Sequence, residues 1–264
     1  MRIPDCLERP VISNIVAGLI TAVLLGIAGL LWGNRKYLAV LPALSPGARR
    51  VRVSMAALLR VKDEDCYVLF SHPYRPGVYG PPGGVVKYAE GARRTLDSVG
   101  FVEQRSAARQ AAMRHDLRGF LPLRSVISFL RWYASGRDRE SAVDCVRREL
   151  REELAEVGHP ELVPLAGALT LTLVRGVFER PPKYGRAERV VRRFDVYDVI
   201  PDDPDAVELV NRLVALGRDP AEQQVIAVSS ADIELGRHGP FLVAPQSAFL
   251  LGTRRFNADL PPLR

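Results

Sequence analysis

Two stretches of this chain hold residue types that could do chemistry together. Residues 80–101 read GPPGGVVKYAEGARRTLDSVGF, and their glycine-rich opening has the character of a phosphate-handling loop. Such a loop should run into a helix bearing carboxylates, yet the residues just after Glu90 are basic. The acids stand further on, in SAVDCVRRELREELAEVG at 141–158. On a helical wheel Val143, Val146, Leu150, Leu154 and Val157 fall within about 40° of Leu150, which makes a narrow buried stripe. Glu149, Glu152, Glu153 and Glu156 flank that stripe on one side, while Arg147, Arg148 and Arg151 take the other flank or the far side. A merely solvated helix more often intersperses acids and bases at i,i+4, as Arg148 and Glu152 do here. Carboxylates converging on one edge repel one another unless a cation lies among them, and hard oxygen ligands suit Mg²⁺ or Mn²⁺. Magnesium also takes phosphate oxygens from a ligand, so this edge beside a glycine loop makes a diphosphate site.

The elements that must position these residues are mixed. VRVSMAALLRV and CYVLF are strand-like runs separated by KDED, a hairpin signal. ALTLTLVRGVFE and ERVVRRFDVYDVI read as a second strand pair, AVELVNRLVALG as a helix, QVIAVS as a short strand and PQSAFLLG as a final helical turn or two. Between 91 and 140 the pattern is helical, with an alanine-rich SAARQAAMRH and a periodic LRSVISFLRWYAS. The class is α/β with antiparallel pairs.

Composition bounds the rest. A chain of 264 residues with 47% hydrophobic content builds a packed core and is no disordered tail. A formal charge of +7 favours anionic company, without choosing among nucleotide, nucleic acid and membrane surface. Cys6, Cys66 and Cys145 are scattered, and His72, His115, His159 and His238 form no cluster, so neither a disulfide framework nor a zinc site is indicated.

Residues 11–32, VISNIVAGLITAVLLGIAGLLW, contain no charge and no proline. As a helix they would measure ~33 Å against a hydrocarbon core of ~30 Å. This predicts a single transmembrane helix within an N-terminal segment 1–33, followed by a basic juxtamembrane linker at 34–50. Arg35, Lys36, Arg49, Arg50 and Arg52 outnumber Arg2 and Arg9, which orients the large C-terminal domain toward the cytoplasm. The GARRVRV run reads equally as a headgroup contact and as a solvated linker. Asn14, Gly18, Ala22, Gly26, Gly29 and Gly33 share one face of the wheel and include a G-x-x-x-G pair, which suggests homo-oligomer formation in the bilayer.

Taken together, Gly84, five residues, Glu90, and then Arg148-Glu149-Leu150-Arg151-Glu152-Glu153 resemble the Nudix box, G-x5-E-x7-R-E-U-x-E-E-x-G-U, with U aliphatic. The spacing departs from the motif, since 57 residues replace its x7, and Ala155 stands where the closing glycine belongs. The resemblance implies an α/β/α sandwich over 51–264 with a helical insertion, 91–140, inside the box. It implies metal positions at the Gly83 carbonyl, Glu149, Glu152 and Glu153 for Mg or Mn. Glu149 would be the catalytic carboxylate, Arg148 would orient it, and Glu90 would support the loop.

A span followed by such a domain, with PPGGVVKY, DLRGFLP, SFLRWYASGRDRE and RRELREEL, is similar to the SMODS-associated NUDIX family. That resemblance implies a membrane-anchored effector of a bacterial CBASS antiphage system, single-pass in the inner membrane. Its partners would be a cyclic di- or oligonucleotide signal, the lipid bilayer and further copies of itself, with no nucleic acid polymer. The nucleotide would rest on Gly83 and Gly84, with phosphates met by Arg118, Arg139 and Arg147 and bases stacked on Trp132, Tyr133 or Phe120. Aromatics at helical spacing read equally as core. The alternative function is a membrane-tethered, Mg-dependent nucleoside diphosphate-X hydrolase.

Overall fold

The computed structural model describes residues 18–26, 50–104, 114–167, 169–179 and 189–260. The chain divides into two compact units, Met1–Leu41 and Pro42–Arg264. In the first, residues 18–26 form a helix, α1, on which Leu19, Ile20, Val23, Leu24 and Leu25 are all more than half exposed. No helix among the described residues is long and apolar enough to cross a membrane. The remainder of the expected span at 11–32, with Gly29 and Gly33, lies outside the described residues, as does the linker at 34–49.

The second unit is a mixed α/β fold with two six-stranded sheets. Its strands are β1 (Arg50–Arg60), β2 (Lys62–Asp63), β3 (Cys66–Ser71), β4 (Val78–Gly80), β5 (Gly83–Val85) and β6 (Val102–Glu103). They continue with β7 (Arg118–Pro122), β8 (Leu171–Glu179), β9 (Val190–Val199), β10 (Val225–Val228), β11 (Arg237–His238) and β12 (Phe241–Val243). The first sheet runs β6-β7-β1-β9-β8, with β5 on β1, and the second runs β10-β3-β4-β12-β11, with β2 on β3. The α/β/α sandwich that the resemblance implies is thus seen as a mixed α/β fold with two sheets. The KDED turn does close a hairpin, but between β2 and β3, so that β1 and β3 belong to different sheets.

β1 organises the site. β9 runs parallel to it along one side, while the other side is shared by β7 against Arg50–Ser54 and β5 against Ala56–Leu58. Its side chains alternate with the strand period. Val51, Val53, Met55, Ala57 and Leu59 are fully buried, and α4 (Ala142–Glu156) packs on β1 and β5. Leu58, from the alternate set, joins Tyr67, Leu69, Tyr79, Val177, Val196, Ile226 and Phe249 in the core between the sheets. The helix α5 (Pro204–Arg218) covers β3 and β10.

The expected helical insertion is a mixed element. It holds α2 (Arg93–Ser98) and α3 (Val126–Ser135), but DLRGFLP contributes the strand β7, which extends the first sheet and pairs with β6. Alternation explains the difference: Gly119 and Leu121 are buried while Arg118, Phe120 and Pro122 are half-buried, a period of two and not of 3.6. Residues 105–113 of the alanine-rich run lie outside the described residues.

Candidate functional site

The two chemically interesting stretches meet. β5 places Gly83 opposite Leu58 and Gly84 opposite Ala57. Gly83 has φ +135°, and a Cβ there would stand 2.3 Å from the Ala57 carbonyl oxygen, so only glycine fits. A Cβ on Gly84 would lie 2.1 Å from the Glu149 Cδ. The glycines are what allow the carboxylates of α4 to reach the strand. Glu153 completes the junction by accepting the Gly83 N–H at 2.9 Å.

α4 begins with Ser141, whose hydroxyl accepts the Asp144 N–H at 3.0 Å as an N-cap. Cys145, Val146, Leu150 and Leu154 are its buried face; of the expected stripe Val146, Leu150, Leu154 and Val157 are buried, whereas Val143 is half-buried and Cys145 joins from outside it. Arg148 is held on every side. It donates to Glu149 Oε1 at 2.7 Å and Glu152 Oε2 at 3.4 Å, and to the Val85 carbonyl at 3.2 Å. Its strongest tether is Glu140, gripped from Nη2 at 2.7 Å and Nε at 3.1 Å.

Glu140 is the residue that the sequence pattern did not single out, and its position corrects the reading of Glu90. Glu90 is exposed, pairs with Arg93 at 2.5 Å and does not line the cleft. Glu140 precedes Arg148 by the E-x7-R spacing of the motif itself. The interruption therefore falls between the glycines and the first glutamate, and its neck is visible. Tyr88 and Arg139 form an antiparallel bridge. Next to it the Lys87 N–H donates to Glu140 Oε1 at 2.7 Å, and the Glu140 N–H returns to the Lys87 carbonyl at 3.0 Å. The chain leaves at Lys87 and comes back at Glu140.

Around this junction opens a cleft of about 470 Å³ between the sheets, floored by Arg52, Ser54, Ala56 and Leu58 of β1. Its acidic wall is Glu149, Glu152, Glu153 and Glu156. Burial raises the Glu149 carboxyl above the ordinary carboxylate range against the opposing pull of Arg148. Burial, then repulsion from Glu149, raises Glu153 further. Asp116, buried beside Lys87 at 3.5 Å, also lines the cleft; it opens the DLRGFLP stretch, where the sequence pattern assigns it no site role.

Among the described residues no three acidic, histidine or cysteine side chains already converge as a metal cage. The donor chemistry nevertheless fits a divalent cation, because Glu153 is a half-buried carboxylate whose hydrogen bond comes from a neutral backbone N–H and whose neighbours are like charges. Glu149, Glu152, Glu153 and the Gly83 carbonyl are the oxygen donors available to it.

A family model described as the SMODS-associated NUDIX domain matches residues 50–251. The chain belongs to this family. No curated protein and no solved structure matches it. Among the residues expected to contact nucleotide in this SMODS-associated NUDIX domain, Gly83, Gly84 and Arg118 line the cleft. The others do not, and Phe120 stands half-buried in β7. Tyr133 is buried under the Arg139 guanidinium, 4.2 Å from its ring centroid. Arg139 also bonds the Tyr133 carbonyl at 2.9 Å and the Glu140 carbonyl at 2.7 Å, which fastens the neck. Arg147 donates to the Leu169 carbonyl at 2.6 and 3.0 Å. Trp132 leans on Phe129, with ring centroids 5.7 Å apart. The cleft instead offers Arg52, Arg75, Arg192, Arg255, His72 and Tyr74.

Proposed function

We propose that this SMODS-associated NUDIX domain is the nucleotide-sensing module of a membrane-anchored CBASS effector. A cyclic di- or oligonucleotide enters the cleft with a phosphate between the carboxylate wall and Arg118. Mg²⁺ or Mn²⁺, held by Glu149, Glu152, Glu153 and the Gly83 carbonyl, would neutralise phosphate charge there. Arg148 keeps Glu149 aimed at the glycines, and Glu140 keeps Arg148 in place. The apolar segment 11–32 anchors the chain in the bacterial inner membrane, and its small-residue face associates with further copies to disrupt the bilayer.

The observation that carries this reading is the junction of Gly83 and Gly84 with Glu153 and Glu149, which sets carboxylates and arginines around one cleft. Purified protein in dye-loaded liposomes, challenged with cyclic di- and trinucleotides with and without Mg²⁺, tests it. Release with at least one of them is expected, and silence across the panel sinks the reading.

The second reading, a membrane-tethered Mg-dependent nucleoside diphosphate-X hydrolase, is favoured by the intact set of Arg148, Glu149, Glu152 and Glu153, since sensing alone needs no complete carboxylate wall. An unrelated anchor in place of 11–32 separates the two: hydrolysis would survive the exchange, and dye release would not.

A further inference from the structure

At the end of the first sheet the cleft wall contains four charged side chains that no motif accounts for: Glu179 of β8, Arg192 of β9, and Arg255 and Asp259 of the segment after α7 (Ala248–Leu251). Arg192 grips Asp259 with both terminal nitrogens, at 3.1 and 3.0 Å, and Glu179 at 2.9 Å. Arg255 donates to Glu179 and, at 2.6 Å, to Asp259. The members differ in burial. The side chains of Arg192, Arg255 and Glu179 are 18%, 13% and 6% exposed, whereas Asp259 is 50% exposed. Asp259 is thus the member nearest solvent, and its departure would uncover the two guanidinium groups while Glu179 still holds them.

Charge and hydrogen bonding point the same way. Two guanidinium groups against two carboxylates are balanced, and the loss of Asp259 would leave one positive charge facing the cleft. The Arg255 Nε is buried and has no acceptor among the described residues, so the cluster keeps a donor that Asp259 does not satisfy. A planar guanidinium fork donates to the oxygens of a carboxylate or of a phosphate with the same geometry.

We infer that Arg192 and Arg255 form a phosphate subsite in which Asp259 is the place-holder. A singly charged phosphodiester in the cleft takes both guanidinium groups and expels Asp259 and Leu260 from the wall. Ligand entry is thereby coupled to release of the C-terminal segment. This rests on the reading that the cleft receives a phosphorylated nucleotide, and it adds where a second phosphate binds and what it displaces.

The test uses the full-length chain in detergent with EDTA, so that the carboxylate wall holds no metal. Inorganic pyrophosphate and 3′,3′-cyclic di-AMP are the probes, read by calorimetry and by hydrogen exchange over 256–260. Asp259→Asn should bind pyrophosphate about 2–5-fold more tightly than wild type, the range of a partly exposed ion pair. Arg255→Lys should bind it several-fold more weakly. Exchange over 256–260 should rise on saturation of the wild type and be high in Asp259→Asn from the start. Equal pyrophosphate affinities for wild type and Asp259→Asn, no pyrophosphate binding at all, or a segment still protected at saturation would each overturn the subsite. If pyrophosphate behaves as expected and a panel of cyclic nucleotides binds nowhere, the subsite stands and the sensor reading fails. If cyclic di-AMP binds wild type and Asp259→Asn alike, the sensor reading survives and the place-holder does not.

Discussion

Replacing Glu140 by Gln tests which glutamate belongs to the box. Glu140 and Arg148 share two hydrogen bonds, at 2.7 and 3.1 Å, between side chains only 18% and 19% exposed. Solvent screening is weak there, so the loss resembles that of a buried charge-assisted pair. The amide oxygen of Gln still accepts one bond, and Arg148 keeps Glu149, so roughly 2–3 kcal/mol is expected, below the full cost of an orphaned buried charge. For a domain of this size that corresponds to a fall of ~4–12 °C in Tm. Glu90→Gln is the control. Its side chain is 71% exposed, and its replacement should stay within ~0.5 kcal/mol. Urea unfolding of the two variants, with Arg148→Gln completing a double-mutant cycle, measures both numbers. A larger loss for Glu90→Gln, or no coupling between positions 140 and 148, would refute the placement of the box.

The site sets three more expectations. Gly84→Ala places a methyl group 2.1 Å from the Glu149 carboxyl carbon, so it should cost about 1–3 kcal/mol in unfolding and remove any Mg²⁺-dependent nucleotide binding in calorimetry. Glu153→Gln removes a half-buried charge crowded by like charges yet still accepts the Gly83 N–H. In EDTA at pH 7 it should be more stable than wild type by about 1–2 kcal/mol in urea unfolding, and Mg²⁺ should raise the melting point of wild type only. For Asp259, burial pushes the carboxyl upward, but the hydrogen bonds from Arg192 and Arg255 outweigh it and hold the group below the ordinary carboxylate range. A depressed carboxyl contributes stability above its unfolded value of about 3.9 and loses it as pH falls through the folded value. The difference between wild type and Asp259→Asn should therefore be flat above pH ~5, at no more than ~1 kcal/mol, and vanish in acid unfolding once the pH has fallen through the folded value.

Whatever a single element encodes is legible in the sequence. The apolar stripe of α4 and the acids beside it obey the helical period, and the strands β8, β9 and β10, the helix α5 and the turn leading into α7 lie where local pattern puts them. The glycines are legible because their type announces a close approach, and the structure supplies the atoms approached, the Ala57 carbonyl oxygen and the Glu149 carboxyl. The strand β7 is not, because two helical neighbours with strong periodicity hide a five-residue alternation whose partner, β1, lies more than sixty residues back.

Glu140 shows why a motif with an interruption is harder to read than its residues. Matching from the glycines forward finds Glu90 at the expected spacing, and matching from Arg148 backward finds Glu140 at the expected spacing. Sequence alone gives no reason to prefer one direction, since both satisfy half of the pattern. Physics does, because Arg148 is mostly buried and needs a buried counter-charge, and a glutamate at the start of the interruption would have to cross the neck to provide it. The residue at the far lip of the neck is already beside α4. The same reasoning explains why the cleft arginines escape a linear reading: Arg118, Ser54, Arg192 and Glu179 are consecutive across β7, β1, β9 and β8, a row that exists only once the register of four strands is set. Local pattern can place each strand, but the charge that a ligand meets is written across them.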